Sequence, residues 1–233
     1  QTANFDVAAG AGNITIAANT LTLNANTGND ALQTAGTLRL QPGAVTQAMT
    51  LANTGSFDLT AAELDAFMPG LNTAGGSLVV GRVDSTATLT IGGAYNFGAA
   101  SKVTLAANAI VDGATTNRVL SGGNLALFTN GGNIGATGNG AIDVSVTSLN
   151  VSSNNRSAFV ASTGPLNFGY GNSNLGTGNL TVASAGAITQ SAGTSLVATG
   201  TANFSPGAGN AVTLGNASND FGTVIATAGN ATF

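Results

Sequence analysis

Few side chains in this sequence can do chemistry, and the densest group of reactive types lies between residues 58 and 84. Asp58, Glu63 and Asp65 are followed there by Arg82 and Asp84. Paired carboxylates with a cationic partner could serve glycoside chemistry or a metal-assisted β-elimination. The same residues also have a structural use. Glu63 stands three positions after Thr60, the spacing of a capping box, in which hydroxyl and carboxylate each accept a backbone amide of the other residue. Acidic groups in a first turn complement the helix dipole, and Arg82 beside Asp84 reads as an ordinary surface ion pair. Capping is the expected use. With no His and no Cys among the 233 residues, neither a Ser-His-Asp nor a Cys-His arrangement can be built from this chain. The expectation is therefore no enzyme, no cofactor and no metal.

Other candidate chemistries fare no better. Calcium needs several convergent carboxylates, whereas Gly28-Asn29-Asp30 and Asn219-Asp220 are isolated and read as turns capped by their own side chains. The Gly-Gly-x-Gly-x-Asp nonapeptide of calcium-binding solenoids is missing. Thr20-Leu21-Thr22 and Thr86-Ala87-Thr88-Leu89-Thr90 have the Thr-x-Thr spacing of a water-ordering face. They are too few for such a face, and β-branched Thr simply suits exposed strand positions. Phe5, Phe97, Phe168, Phe204 and Phe221 could form a sugar-stacking stripe, but are expected to fill the corners of a core. Asn13-Ile14-Thr15 and Asn179-Leu180-Thr181 match the glycosylation triplet, as chance allows in a chain rich in Asn and Thr.

The elements that would position these residues are short and alternating. Ile14/Ile16, Leu21/Leu23, Leu38/Leu40, Leu89/Ile91, Val103/Leu105 and Leu125/Leu127 each bracket one residue, small or polar except at Arg39. The pattern continues through Ile142/Val144/Val146, Leu149/Val151, Leu180/Val182 and Val212/Leu214. Period-two alternation places the aliphatics on one face of a strand. Turns such as Asn130-Gly131-Gly132-Asn133 and Gly169-Tyr170-Gly171-Asn172 separate the runs, so the chain reads as all-β with many short strands.

Repeats decide between a sandwich and a stack. Ala-Gly-Asn-Ala at 208–211 recurs at 228–231, and Thr-Ala-Asn-Phe at 2–5 recurs at 201–204. A coil of about 20 residues with elastic turns fits these and the strand spacings, and stacking such coils buries a face that no single coil can bury alone. The fold class expected is a right-handed parallel β-helix, or β-solenoid, running without interruption over residues 1–233. Asn is expected to ladder on Asn along its axis. One stretch departs: Thr60 and Glu63 cap a helix near 60–68, with Leu64, Phe67 and Met68 as its stripe and Pro69-Gly70 as its stop. A helix of about two turns that projects from the solenoid or lies along it is expected, with a protrusion at 60–70 of which Glu63, Leu64, Asp65, Phe67 and Met68 are the candidate interaction residues.

Composition bounds the partners. Charged residues are 6%, against roughly 25% in a typical domain, and Arg39, Arg82, Lys102, Arg118 and Arg156 are scattered. Nucleic acid and anionic membranes need clustered cations, so neither is expected. A hydrophobic fraction of 43% and mean hydropathy of +0.28 argue for a core rather than disorder, and no apolar run is long enough to span a bilayer. Gln1 opens the chain without a leader pattern, so a signal peptide is expected to be absent or removed.

The runs Leu59-Thr60-Ala61-Ala62-Glu63-Leu64-Asp65, Leu78-Val79-Val80-Gly81-Arg82-Val83-Asp84 and Leu89-Thr90-Ile91 resemble a repeat of very large bacterial haemagglutinin-like proteins. So does Ala208-Gly209-Asn210-Ala211-Val212-Thr213-Leu214 with Asn219-Asp220-Phe221. The chain as a whole is similar to filamentous-haemagglutinin-type adhesins, most clearly over 37–91 and 178–233. That resemblance implies the shaft of a protein secreted to the outer surface of a Gram-negative bacterium and serving adhesion or biofilm cohesion. It further implies end-to-end contact with neighbouring repeats or with copies of itself, and host-cell or matrix glycans or proteins as lateral partners. It carries no binding residues over. A subunit that polymerises into an extracellular filament is the alternative, and a carbohydrate-active β-helix enzyme a distant third. Pectin-cleaving enzymes of that kind use Asp clusters with Arg or Lys.

Overall fold

A computed structural model describes residues 7–23, 32–113 and 118–233. The chain is a β-solenoid of about 10 turns in which every pairing between strands is parallel among the described residues. Phe5, the 2–5 copy of Thr-Ala-Asn-Phe and Gly28-Asn29-Asp30 lie outside the described residues.

The alternating aliphatics become continuous inward columns. One runs Ile14, Leu38, Leu78, Val103, Leu125, Leu149, Phe168, each stacked on the last. A second runs Met49, Leu89, Ile110, Ile134, Ala158, Leu180, Ala202, Val224. A third runs Tyr95, Leu120, Val144, Ser162, Ser184, Pro206. Most of these side chains are fully buried in one core cluster that runs the length of the stack. Thus the strand face that a lone coil would leave wet is covered by the next coil. Leu21 and Leu23 are the exception among the expected pairs: they lie outside any strand and are only partly buried.

Coil length is elastic around the expected value. Stacked residues stand 19 positions apart where Ser148 meets Asn167, 22 where Asn179 meets Thr201 and 24 where Asn13 meets Thr37. Between Thr37 and Ser77 the spacing is 40, because one coil carries an insertion. Near the end the repeated Ala-Gly-Asn-Ala strings do not stack in their own frame. Ala211 pairs with Asn230 and Val212 with Ala231, one residue away from the string match. In the frame of the strings Thr232 rather than Ala231 would lie over the buried Val212, which is itself set inward by Ile188, so inward packing outranks string identity.

Asparagine also works differently from an amide ladder. Asn13, Asn133, Asn155, Asn172 and Asn179 each present Oδ1 to the backbone N–H of the residue stacked on them, namely Thr37, Ser157, Thr177, Ser195 and Thr201, at 2.8–3.1 Å. The side chain thus imitates the backbone carbonyl that a longer strand would supply, and it satisfies a donor at the turn where the ladder begins or ends. Stacking is tight enough at some turns to require glycine. A Cβ at Gly178 would collide with the Arg156 carbonyl in the neighbouring coil.

Candidate functional site

The helical stretch that the sequence singled out is a buttress. After the strand Met49–Leu51, Ala52 turns the chain with a left-handed φ of 61°. Phe57–Leu59 then runs alongside Met49–Leu51 in the same direction. Two short helices follow where one was expected. The first, Ala61–Asp65, carries the full capping box: the Glu63 amide donates to Thr60 Oγ1 at 3.3 Å, and the Thr60 amide donates to Glu63 Oε2 at 2.8 Å. The second, Met68–Ala74, begins where Pro69-Gly70 was expected to stop the helix. Proline is harmless in a first turn, since its missing N–H would have had no helical acceptor there. Gly75, left-handed at φ 76°, ends this helix instead.

Of the five candidate interaction residues, Leu64, Phe67 and Met68 are buried in the core cluster with Leu71, and Glu63 is buried as well. Only Asp65 is exposed. Of the two expected placements the helices take the one along the solenoid, and the reading of these residues as an interaction protrusion is corrected accordingly. An amphipathic helix this short gains its stability by covering its stripe, and the side of the solenoid is the surface at hand. Polar contacts then pin it across several coils. Glu63 Oε1 accepts the Leu23 amide at 3.1 Å, the Tyr95 hydroxyl donates to Asp65 Oδ1 at 2.9 Å, and Asn72 Nδ2 donates to the Phe97 carbonyl at 2.6 Å. Burial, reinforced by the Asp65 carboxylate, holds the Tyr95 hydroxyl protonated well above the usual phenol range.

The carboxylates considered for catalysis are each occupied locally. Asp58 Oδ2 accepts the Gly55 amide in a turn, Glu63 caps its helix, and Asp65 receives Tyr95. Arg82 and Asp84 form a two-bond ion pair at 2.9 Å, with Arg82 Nη1 also reaching the Pro42 and Gly43 carbonyls. Their mutual hydrogen bonds, more than their simple attraction, raise the arginine and lower the aspartate. Among the described residues, no three carboxylates stand close enough together to hold a metal ion. One further carboxylate is unusual. Asp143 is buried on the strand Ile142–Ser153, and its ionisation is pushed up first by burial and then by the charge of Asp112, while a backbone N–H of Arg118 opposes both.

Phe97, Phe168 and Phe204 are inward and buried, as expected, and so unavailable for a sugar-stacking stripe. Phe221 is partly buried, packed edge-on to Phe204 at 6.0 Å. Sequence reasoning passed over two others. Phe128 follows Leu127 and Phe159 precedes Val160, so both fall in the outward phase of their strands and are only half-buried. The signal was present in the alternation itself, since a large ring had taken the place reserved elsewhere for Thr, Ser or Asn. Phe128 lies over a shallow cleft of about 350 Å³, lined also by Asn130, Ser152, Ser153, Asn154 and Asn174.

Stacked parallel coils, inward aliphatic columns and polar turns define a β-solenoid repeat protein. Residues 153–228 match a family described as repeats of unknown function (DUF5649). The match covers about a third of the chain and the part where one column advances by a constant 22 residues, through Ala158, Leu180, Ala202 and Val224. No curated protein and no solved structure matches the chain. Among the described residues no helix is long and apolar enough to cross a membrane.

Proposed function

We propose that this chain is a structural shaft segment of a secreted or surface-tethered bacterial adhesin, serving adhesion or biofilm cohesion through reach and stiffness rather than catalysis. The observation that supports this reading best is the overlap of the inward columns along a solenoid of about 10 turns, two of them passing unbroken across the coil that carries an insertion. At about 4.8 Å per coil such a stack reaches roughly 45–50 Å, and each further repeat would lengthen it without new design. The low charge also fits, because stacking would set like charges one strand spacing apart.

Sedimentation velocity over a concentration series, with negative-stain images of the same samples, tests the shaft. An elongated monomer that does not change with concentration supports it, and compact particles would overturn it. Growth into uniform end-to-end fibres would favour the alternative of a self-assembling filament subunit. The surface role is tested on cells that express the chain. Antibody should label intact cells, and Leu180→Asp, which breaks a column, should abolish cell adhesion. Adhesion that survives that substitution in a demonstrably unfolded protein would remove the mechanical role.

A further inference from the structure

We propose that the cleft over Phe128 is a binding subsite for a neutral sugar ring. The inference stands on the cleft alone and does not need the shaft reading. Its first ground is placement. Along the column that holds the ring the residues are Gly81, Ala106, Phe128, Ser152, Asn174 and Val197, of which Gly81 and Ala106 are buried. The side chains stacked immediately before and after the ring, Ala106 and Ser152, are small, so no bulky neighbour in the column covers it. The half-buried ring lines the cleft, and the negatively polarised face of an aromatic ring complements the C–H-bearing face of a pyranose.

The second ground is the rim. Every other lining residue is Asn or Ser, the donor–acceptor groups that fix a hydroxylated ligand in an otherwise apolar pocket. Several are held in place by the solenoid. Asn154 Nδ2 donates to the Asn130 carbonyl at 3.3 Å, and Asn130 Nδ2 donates to the Val83 carbonyl at 2.8 Å. Ser152 Oγ is braced between Asn150 Oδ1 and the Asn174 amide at 3.2 and 3.3 Å. Asn174 Oδ1 accepts the Gly176 amide at 2.8 Å. That bond sets the orientation of its side-chain amide and leaves Nδ2 with no protein acceptor among the described residues, free to donate to a ligand hydroxyl.

The third ground is charge. No ionisable side chain lines the cleft, so it offers nothing to a uronate, a sulfate or a phosphate. At about 350 Å³ the cleft is at the small end of ligand sites, suited to one or two sugar units.

The test is saturation-transfer NMR on the full chain with maltotriose, cellotriose and tri-N-acetylchitotriose as probes. At least one should receive signal, mainly on ring C–H protons, and increased salt should not weaken it. Phe128→Leu keeps an apolar side chain but removes the ring, and should reduce the transfer about fivefold or more. Asn174→Asp keeps the acceptor for Gly176 while removing the free donor, and should also reduce it. Phe159→Ala, outward on a different ladder, should leave it unchanged. No transfer to any probe, or transfer that survives both Phe128→Leu and Asn174→Asp, overturns the subsite. Neither result alters the sedimentation behaviour on which the shaft reading is tested.

Discussion

Two regions of this solenoid solve the same stacking problem by opposite means. Between residues 153 and 228 the coils are near-equal, and exposed Asn oxygens at 155, 172 and 179 close the backbone ladders at the turns. Between 37 and 91 one coil swells to 40 residues, and two helices with their own apolar side chains lie against the flank. Yet Met49 still stacks on Leu89 and Leu38 on Leu78. The columns are held constant and the turns carry the variation. Extra chain at a turn costs little loop entropy, provided that it buries whatever apolar surface it brings. The insertion meets that condition with Leu64, Phe67, Met68 and Leu71.

The sharpest way to break this comparison is to test whether the insertion belongs to the core. Phe67→Ala should destabilise the protein by about 3–5 kcal/mol, the usual cost of removing a fully buried ring, and so match Phe204→Ala in the regular coils. Chemical denaturation of both variants makes the comparison. If Phe67→Ala costs less than about 0.5 kcal/mol, as at ordinary surface positions, the insertion is a detachable appendage and the equivalence of the two regions is lost.

In the regular coils the effect to probe is smaller. Asn179→Ala removes the oxygen that accepts the Thr201 amide. The expected loss is about 1 kcal/mol, with faster hydrogen exchange at Thr201 and unchanged exchange in the column at Leu180. Unchanged exchange at Thr201 would show that water replaces the side chain at no cost, and that Asn is there for its turn propensity alone.

A still smaller effect, of opposite sign, is expected where the insertion begins. Ala52 holds a left-handed φ of 61°, which costs a non-glycine residue about 1–2 kcal/mol. Glycine would relieve that strain while losing roughly 0.5–1 kcal/mol to a freer unfolded chain. Ala52→Gly should therefore stabilise by about 0.5 kcal/mol, seen as a higher denaturation midpoint with unchanged slope. A drop in the midpoint would mean that the turn is not strained and that the Ala52 methyl packs usefully.

How much of this was readable from the residues follows the same division. Period two in Leu38/Leu40, Val103/Leu105 and Leu125/Leu127 gave the strands directly, because burial on one face is a local property of the chain, and the spacing of the repeats gave their stacking. The insertion was half legible. Thr60 and Glu63 announce the cap, since both partners lie within one turn, but nothing local says that Phe67 and Met68 fold back onto coils near Tyr95 and Phe97. That is a long-range outcome of having an apolar flank to cover. Pro69 misled for a related reason: its effect depends on whether it falls inside a helix or at the start of a new one. The outward phase of Phe128 was legible and overlooked, whereas its cleft, closed by Asn130, Asn154 and Asn174 from three separate segments, was not.

The least effect concerns a carboxylate that neither region explains. Asp143 ionises less readily in the fold, chiefly because it is buried and next because of Asp112, against the help of an Arg118 backbone N–H. A pKa raised above its unfolded value means that the protonated form is the one the fold prefers. The associated stability is present below the unfolded value of about 3.9 and is lost as pH rises through the folded value. Asp143→Asn keeps an acceptor for the Arg118 amide and carries no charge. At pH 7 it should melt slightly higher than the parent, and the gap should close below about pH 3.9, where the parent carboxyl is itself neutral. A variant that melts lower at pH 7 would show instead that the carboxylate's charge is used by the fold. In that case the opposing amide, and not burial, would dominate this site.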